Sequence, residues 1–213
     1  MSWTFPKLYP ILDSSFIPSD NRAAFLARLG GGMAEAGVTL LEYRNKTGAL
    51  DEILSDAAVL RSALPVGQVK LILDDRADLV EKVGFDGVHV DKGDATPTEA
   101  RALLGPDRII GTFGGGDALV DRVLSEPADY FSIGVVFPTR TKQVTSAPIG
   151  IDGVRQRRAD AGPAPRLVAI GGITLATAPA ILAAGASVLA VAGGFFRQPD
   201  PAAEFRTWMN ELG

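Results

Sequence analysis

Eight times along these 213 residues, a short apolar run gives way to a stretch with helical spacing. That alternation limits the chain more than any other feature. Apolar runs of this length, bounded by turn residues, suit strands buried on both faces, and such strands belong to parallel sheets crossed over by helices. The candidate strands are 7–13, 38–45, 69–75, 87–91, 108–114, 128–137, 166–173 and 187–196. Helical patterns lie near 21–36, 50–64, 76–84, 96–104, 117–126, 151–161, 175–184 and 201–212. Gly37, Gly84, Gly105, Gly162 and Gly185 follow helices as stop signals, and Asp117 and Thr174 are placed to cap helix starts. Eight strands alternating with eight helices predict an α/β chain folded as one closed (β/α)8 TIM barrel, a single domain over 1–213. A doubly wound open sheet is the alternative.

At 46% hydrophobic, the chain can bury a core of that size. Twenty-five acidic against 21 basic residues leave a net charge of −4, which argues against non-specific binding to nucleic acid. There is no cysteine, hence no disulfide, cysteine metal site or cysteine nucleophile. The first ten residues, MSWTFPKLYP, lack a basic region followed by an apolar run, so a cytoplasmic location is expected. Residues 167–196 are uncharged, but Pro179 and five glycines divide them into pieces too short to span a bilayer, and no membrane association is expected. Composition leaves the oligomeric state open.

In a barrel of this kind the loops that follow the strands converge on one rim, where chemistry is expected. Glu42, Arg44 and Lys46 alternate along the end of the second strand and so share a face. Asp74 and Asp75 close the third strand; His89, Asp91, Lys92 and Asp94 follow the fourth. Thr139, Thr141 and Lys142 follow the sixth, and the pairs Gly171–Gly172 and Gly193–Gly194 end the last two. Each has a plain structural reading. Arg44 and Lys46 could pair with Glu42, Asp74 and Asp75 could cap a helix, His89 could be a hydrogen-bonded structural residue, and the glycines could be turns. Their coincidence at one rim favours a site for phosphorylated ligands, because amines, hydroxyls and closely approaching backbone amides all suit anions. Mg²⁺ is commonly held by one or two carboxylates plus phosphate oxygens, a role Asp75 and Asp94 suit. Arg44, Lys46 and Lys142 could then hold a diphosphate, with a monophosphate at the last glycine turns. The longest irregular segment, 143–150, could cover a ligand or simply connect elements.

The motifs LLEYRNK (40–46), LILDDRADL (71–79), GFDGVHVDKGD (84–94), IGVVFPTRTK (133–142) and LVAIGGI (167–173) occur together and in this order. In that combination the chain, from about 8 to 196, resembles the thiamine phosphate synthase family and its thiazole tautomerase-like relatives. The resemblance implies a barrel transferase that couples a hydroxymethylpyrimidine diphosphate to a thiazole phosphate and releases diphosphate. It implies Mg²⁺ as cofactor and small phosphorylated molecules as partners. It assigns Arg44, Lys46 and Lys142 to diphosphate and catalysis, and Asp75 and Asp94 to the metal. Glu42, Asp74 and Phe113 fall at the pyrimidine diphosphate; Thr139, Thr141, Gly172, Ala192 and Gly193 fall at the thiazole phosphate. The chain departs from the family pattern where Glu42 replaces glutamine, Asp74 replaces asparagine, Asp91-Lys92 replaces glycine-glutamine, and Phe113 and Gly193 each replace serine. Two alternatives follow from these departures: a thiazole tautomerase-like isomerase using His89 and Glu42 for proton transfer, or a diverged barrel that binds phosphorylated metabolites without turnover.

Overall fold

Eight parallel strands pair in sequence order and close on themselves: β1 (Leu8–Asp13), β2 (Leu40–Arg44), β3 (Lys70–Asp74), β4 (Gly87–Val90), β5 (Ile109–Phe113), β6 (Tyr130–Gly134), β7 (Leu167–Ile170) and β8 (Val188–Val191). The open-sheet alternative is excluded, because β1 pairs with β2 at Ile11–Glu42 and with β8 at Tyr9–Ala190. The structure, a computed structural model, describes residues 3–114, 119–139, 141 and 147–213. The helices are α1 (Arg22–Glu35), α2 (Leu50–Ala63), α3 (Val80–Val83), α4 (Pro97–Leu104), α5 (Leu119–Ser125), α6 (Gly150–Ala161), α7 (Ala178–Ala183), α8 (Gly193–Phe196) and α9 (Pro201–Leu212). The barrel is the single (β/α)8 architecture expected.

Strand periodicity builds two apolar layers. Outward residues such as Leu41, Tyr43, Leu71, Leu73, Phe131 and Ile133 pack beneath the helices, while Tyr9, Leu40, Ile72, Ile109, Val168 and Val188 fill the barrel. Each fully buried aliphatic side chain contributes about 1.5–3 kcal/mol relative to exposure. The N-terminal segment floors the barrel: Trp3 Nε1 donates to Thr39 O at 3.0 Å, Phe5 lies edge-on to Tyr130 at 5.8 Å, and the Arg166 guanidinium sits 3.9 Å from the Phe5 ring centre. The C-terminal strand ends are left to form the site.

Four local expectations need correction. The helix near 76–84 is a 3₁₀ turn (Ala77–Leu79) running into the single-turn α3, which Gly84 ends at φ 67°. The last strand stops at Val191 rather than 196, since Gly193–Phe196 turn into α8. Thr174 does not cap a helix directly. It exchanges hydrogen bonds with Thr177 in a turn that precedes α7. Asp74 and Asp75 do not cap the turn after β3; their side chains face cations instead. Asp117 lies outside the described residues.

Candidate active site

A cavity of about 610 Å³ opens among the C-terminal strand ends. One wall is made by β1 to β4. Glu42 and Arg44 both point inward from β2, as their spacing requires, but the two cations do not pair with Glu42. The Arg44 guanidinium contacts Asp13 and lies 3.3 Å from Asp74 Oδ2, while Lys46 Nζ contacts Asp75 and also lies 3.3 Å from Asp74 Oδ2. The expected cationic rim is therefore a neutralised lattice of alternating charge. Asp75 sits in the left-handed region at φ 64°, uncommon outside glycine but more accessible to aspartate than to most residues. Its N–H donates to His89 O at 2.8 Å, which ties this turn to β4.

Asn45, between the two cations, organises the loop that carries them. Its Nδ2 donates to Tyr43 Oη at 3.0 Å and Glu52 Oε1 at 2.8 Å, and its Oδ1 accepts from Ser14 Oγ at 3.1 Å and Gly48 N at 2.8 Å. Tyr43 in turn donates to the buried Asp56 at 2.6 Å, which also holds Arg22. Helix α1, helix α2 and the 44–48 loop thus share one polar network beneath the rim.

At the bottom of the cavity Tyr9 Oη donates to Glu42 Oε2 at 2.6 Å and meets Tyr130 Oη at 2.8 Å; His89 Nδ1 meets the same Tyr130 hydroxyl at 3.0 Å. Tyr130 reaches this position because Gly111, its register partner on β5, has no side chain; any Cβ there would overlap the phenol ring. Glu42 is 3% exposed, and its carboxyl is pushed up to about 8, chiefly by burial and then by the charge on Asp74. Arg44 and the Tyr9 hydroxyl act in the opposite direction, and Asp75 adds to the rise. At pH 7 Glu42 is therefore mainly a neutral acid, with one donor and one acceptor oxygen as in an amide.

Between the ordinary glutamate value and about 8 the folded chain binds this proton more tightly than the unfolded chain, so stability falls as pH rises through that window. From pH 6 to pH 8, wild type should lose about 2 kcal/mol more unfolding free energy than Glu42→Gln. Parallel pH profiles in urea titrations would refute the assignment.

Asp94 lies beside Asp75 at the rim. Its Oδ2 accepts the Asp91 N–H at 3.0 Å, and its carboxyl is raised first by burial and further by contact with Asp75, against the lowering effect of the Asp91 bond. Among the described residues, no group of three or more His, Cys, Asp or Glu side chains gathers as a metal cage. Two adjacent carboxylates at an open rim are what the structure offers a cation.

The opposite wall carries Thr139, Thr141, the Gly171–Gly172 turn and Ala192–Gly193. Gly172 has φ 62°, and a Cβ there would lie 2.5 Å from Pro138 O and 2.8 Å from Phe137 O, so the two turns pack backbone to backbone. Thr139 Oγ1 accepts from Thr141 N at 3.3 Å, which brings both hydroxyls into one loop. Phe113 and its register partner Ser132 line the space between the walls. Lys142 lies outside the described residues.

Of the expected site residues, Glu42, Arg44, Lys46, Asp74, Phe113, Thr139, Thr141, Gly172, Ala192 and Gly193 line this one cavity, with Asp75 and Asp94 beside it at the rim. Sequence reading missed Tyr9, Asp13, Asn45, Tyr130, Ser132 and Arg197. Period-two spacing on β1 and β6 would have turned Tyr9, Asp13, Tyr130 and Ser132 inward. The hub role of Asn45 has no sequence signal, since its partners come from three separate segments.

Known proteins similar to this chain point to one family. The family model described as thiamine monophosphate synthase matches residues 8–195. The chain belongs to that family. The thiamine-phosphate synthase of Koribacter versatilis is 38% identical over 202 residues, covering 94% of each chain. That of Agrobacterium fabrum is also 38% identical, over 90% of this chain and 86% of its own length. The solved thiamine phosphate pyrophosphorylase from Pyrococcus furiosus superposes with a TM-score of 0.80 at 26% identity over 97% of both chains. A 3-hexulose-6-phosphate synthase at 20% identity, with a TM-score of 0.65, shares the fold alone. The chain is thus a transferase of the thiamine monophosphate synthase family, and neither the isomerase nor the binding-only alternative is favoured. Among the described residues, no helix is long and apolar enough to cross a membrane.

Proposed function

We propose that this chain couples a hydroxymethylpyrimidine diphosphate to a thiazole phosphate, releasing diphosphate, and that it does so in the cytoplasm on small soluble substrates. The observation that carries this reading is one cavity with two unlike ends: Arg44 and Lys46 at one, and the 171–172 and 193–194 glycine turns with Thr139 and Thr141 at the other. Arg44, Lys46 and Lys142 hold the diphosphate, and the glycine turns hold the acceptor phosphate. The thiazole nitrogen forms a bond to the pyrimidine methylene carbon, the bond from that carbon to the diphosphate oxygen breaks, and the electron pair leaves with diphosphate. No side chain acts as nucleophile. Neutral Glu42, at the base of the cavity with Tyr9 behind it, offers the aminopyrimidine the same donor and acceptor pair as an amide.

Asp75 and Asp94 fit Mg²⁺ by the chemistry of their donors: two adjoining carboxylates at the rim, with the Lys46 ammonium already lying against one of them. When bound, Mg²⁺ supplies positive charge against the charge that develops on the leaving diphosphate. Lys46 and Arg44 bind the diphosphate by turning from their carboxylate partners toward phosphate oxygens.

Asp74 opposes that exchange, because it touches both cations and stays close to the incoming anion. A like-charge contact near 4 Å costs on the order of 4 kcal/mol at an effective dielectric of about 20. Pairing and metal offset most of this, so Asp74→Asn should tighten pyrophosphate binding roughly tenfold, about 1.4 kcal/mol, at fixed Mg²⁺ and pH. Calorimetry showing equal or weaker binding would mean that Asp74 aligns the two cations more than it repels the ligand.

The function is tested by incubating the protein with both phosphorylated substrates and Mg²⁺ and following thiamine phosphate by mass. Multiple turnovers are expected. Binding of both substrates without product would select the binding-only barrel; isomerisation of the thiazole alone would select the isomerase.

A further inference from the structure

The C-terminal turn of α8 places a cation over the acceptor end of the cavity. Arg197 stands four residues after Gly193 and closes the α8 turn through its own N–H to Gly193 O at 3.3 Å. At that spacing a side chain leans back over the preceding turn, so the guanidinium lies above Gly193. The position is clear because Gly193 has no side chain: an added Cβ would meet Arg197 Nε at 2.9 Å and Thr141 Oγ1 at 3.2 Å. A guanidinium nitrogen and a threonine hydroxyl therefore converge on one point of the cavity lining. Phe16, from the turn after β1, lies beneath, with its ring centre 5.3 Å from Arg197 Cζ. A cation seated on an aromatic face keeps its N–H edge available for hydrogen bonds.

The two ends of the cavity differ in charge compensation. Arg44 and Lys46 contact carboxylates, whereas among the described residues Arg197 has the Phe16 ring as its partner and no carboxylate. An exposed arginine without an acid, forked toward a hydroxyl and glycine backbone, matches a phosphomonoester dianion.

We infer that Arg197 is a phosphate-binding residue of the acceptor subsite, and that its guanidinium, over the gap left by Gly193, supplies the recognition a side-chain hydroxyl at that position would otherwise give. The inference rests on the proposed reading of this end as the thiazole phosphate subsite. Arg197→Ala should weaken thiazole phosphate at least tenfold and raise its KM by a similar factor, with kcat within twofold. Affinity for the unphosphorylated thiazole alcohol, and for pyrophosphate at the other end, should not change. Arg197→Lys should recover part of the loss, as a point charge without the fork.

Inorganic phosphate, titrated with pyrophosphate saturating the donor end, separates the two readings. If the protein makes no thiamine phosphate but phosphate binding still falls in Arg197→Ala, the anion site stands and the synthase reading fails. Unchanged affinity for both thiazole phosphate and inorganic phosphate in Arg197→Ala overturns the inference. An equal loss for the phosphorylated and unphosphorylated thiazole overturns it too, since it would assign Arg197 to shape rather than to phosphate.

Discussion

Alanine at Asp75 or at Asp94 is expected to lower turnover at least 10²-fold, a loss of about 2.7 kcal/mol of transition-state stabilisation. The reason is electrostatic. Breaking the bond to diphosphate concentrates negative charge on the leaving oxygens, and the nearby cations, Arg44 and Lys46, are already held by Asp13, Asp74 and Asp75. A divalent ion held by Asp75 and Asp94 would add charge that this lattice lacks. Asp94, whose carboxyl is raised by burial and by its neighbour, would gain most from a cation that removes the repulsion. The measurement is steady-state turnover against Mg²⁺ concentration for both variants, with pyrophosphate binding followed in parallel. Full activity of both variants in the presence of a chelator would end the metal assignment.

Gly172→Val should have a comparable effect at the other end of the cavity, weakening the acceptor phosphate at least 10²-fold while changing pyrophosphate affinity by less than about threefold, the first again about 2.7 kcal/mol. The position demands a left-handed backbone, which a β-branched residue adopts only under strain. The atoms a Cβ would meet, Pro138 O and Phe137 O, belong to the main chain and cannot swing aside as a side-chain tip could. The 137–139 turn must move, and Thr139 moves with it. Calorimetric titration with each ligand, with thermal melting to confirm folding, decides the matter. A selective loss at the pyrophosphate end would reverse the assignment of the two ends.

Much of the candidate site is legible in the sequence. The barrel followed from alternating apolar runs, and the rim followed from polar residues at strand ends, because a parallel strand buried on both faces has few other places for charge. Boundaries were less legible. The run 187–196 reads as one strand, since uncharged residues carry no mark of where a strand yields to a helix. Only the turn at Ala192 divides β8 from α8. That one boundary decides whether Arg197 trails a strand or reaches back over Gly193.

The electrostatic state of the site was a further matter. Composition counts Arg44, Lys46, Asp13, Asp74 and Asp75 as five charges; it cannot say that they interlock, because Asp13 lies 31 residues from Arg44 and Asp75 lies 29 from Lys46. Nor does the replacement of an amide by Glu42 reveal that burial keeps the acid mainly neutral at pH 7. The sequence alone determined the architecture, the rim on which the candidate site residues collect and the family, since these depend on periodicity and on motifs in order along the chain. Tertiary structure alone decided which charges neutralise one another, which carboxyl keeps its proton and which arginine, among the described residues, faces the cavity without an acid. Those depend on distance and burial, which only closure of the barrel brings into being.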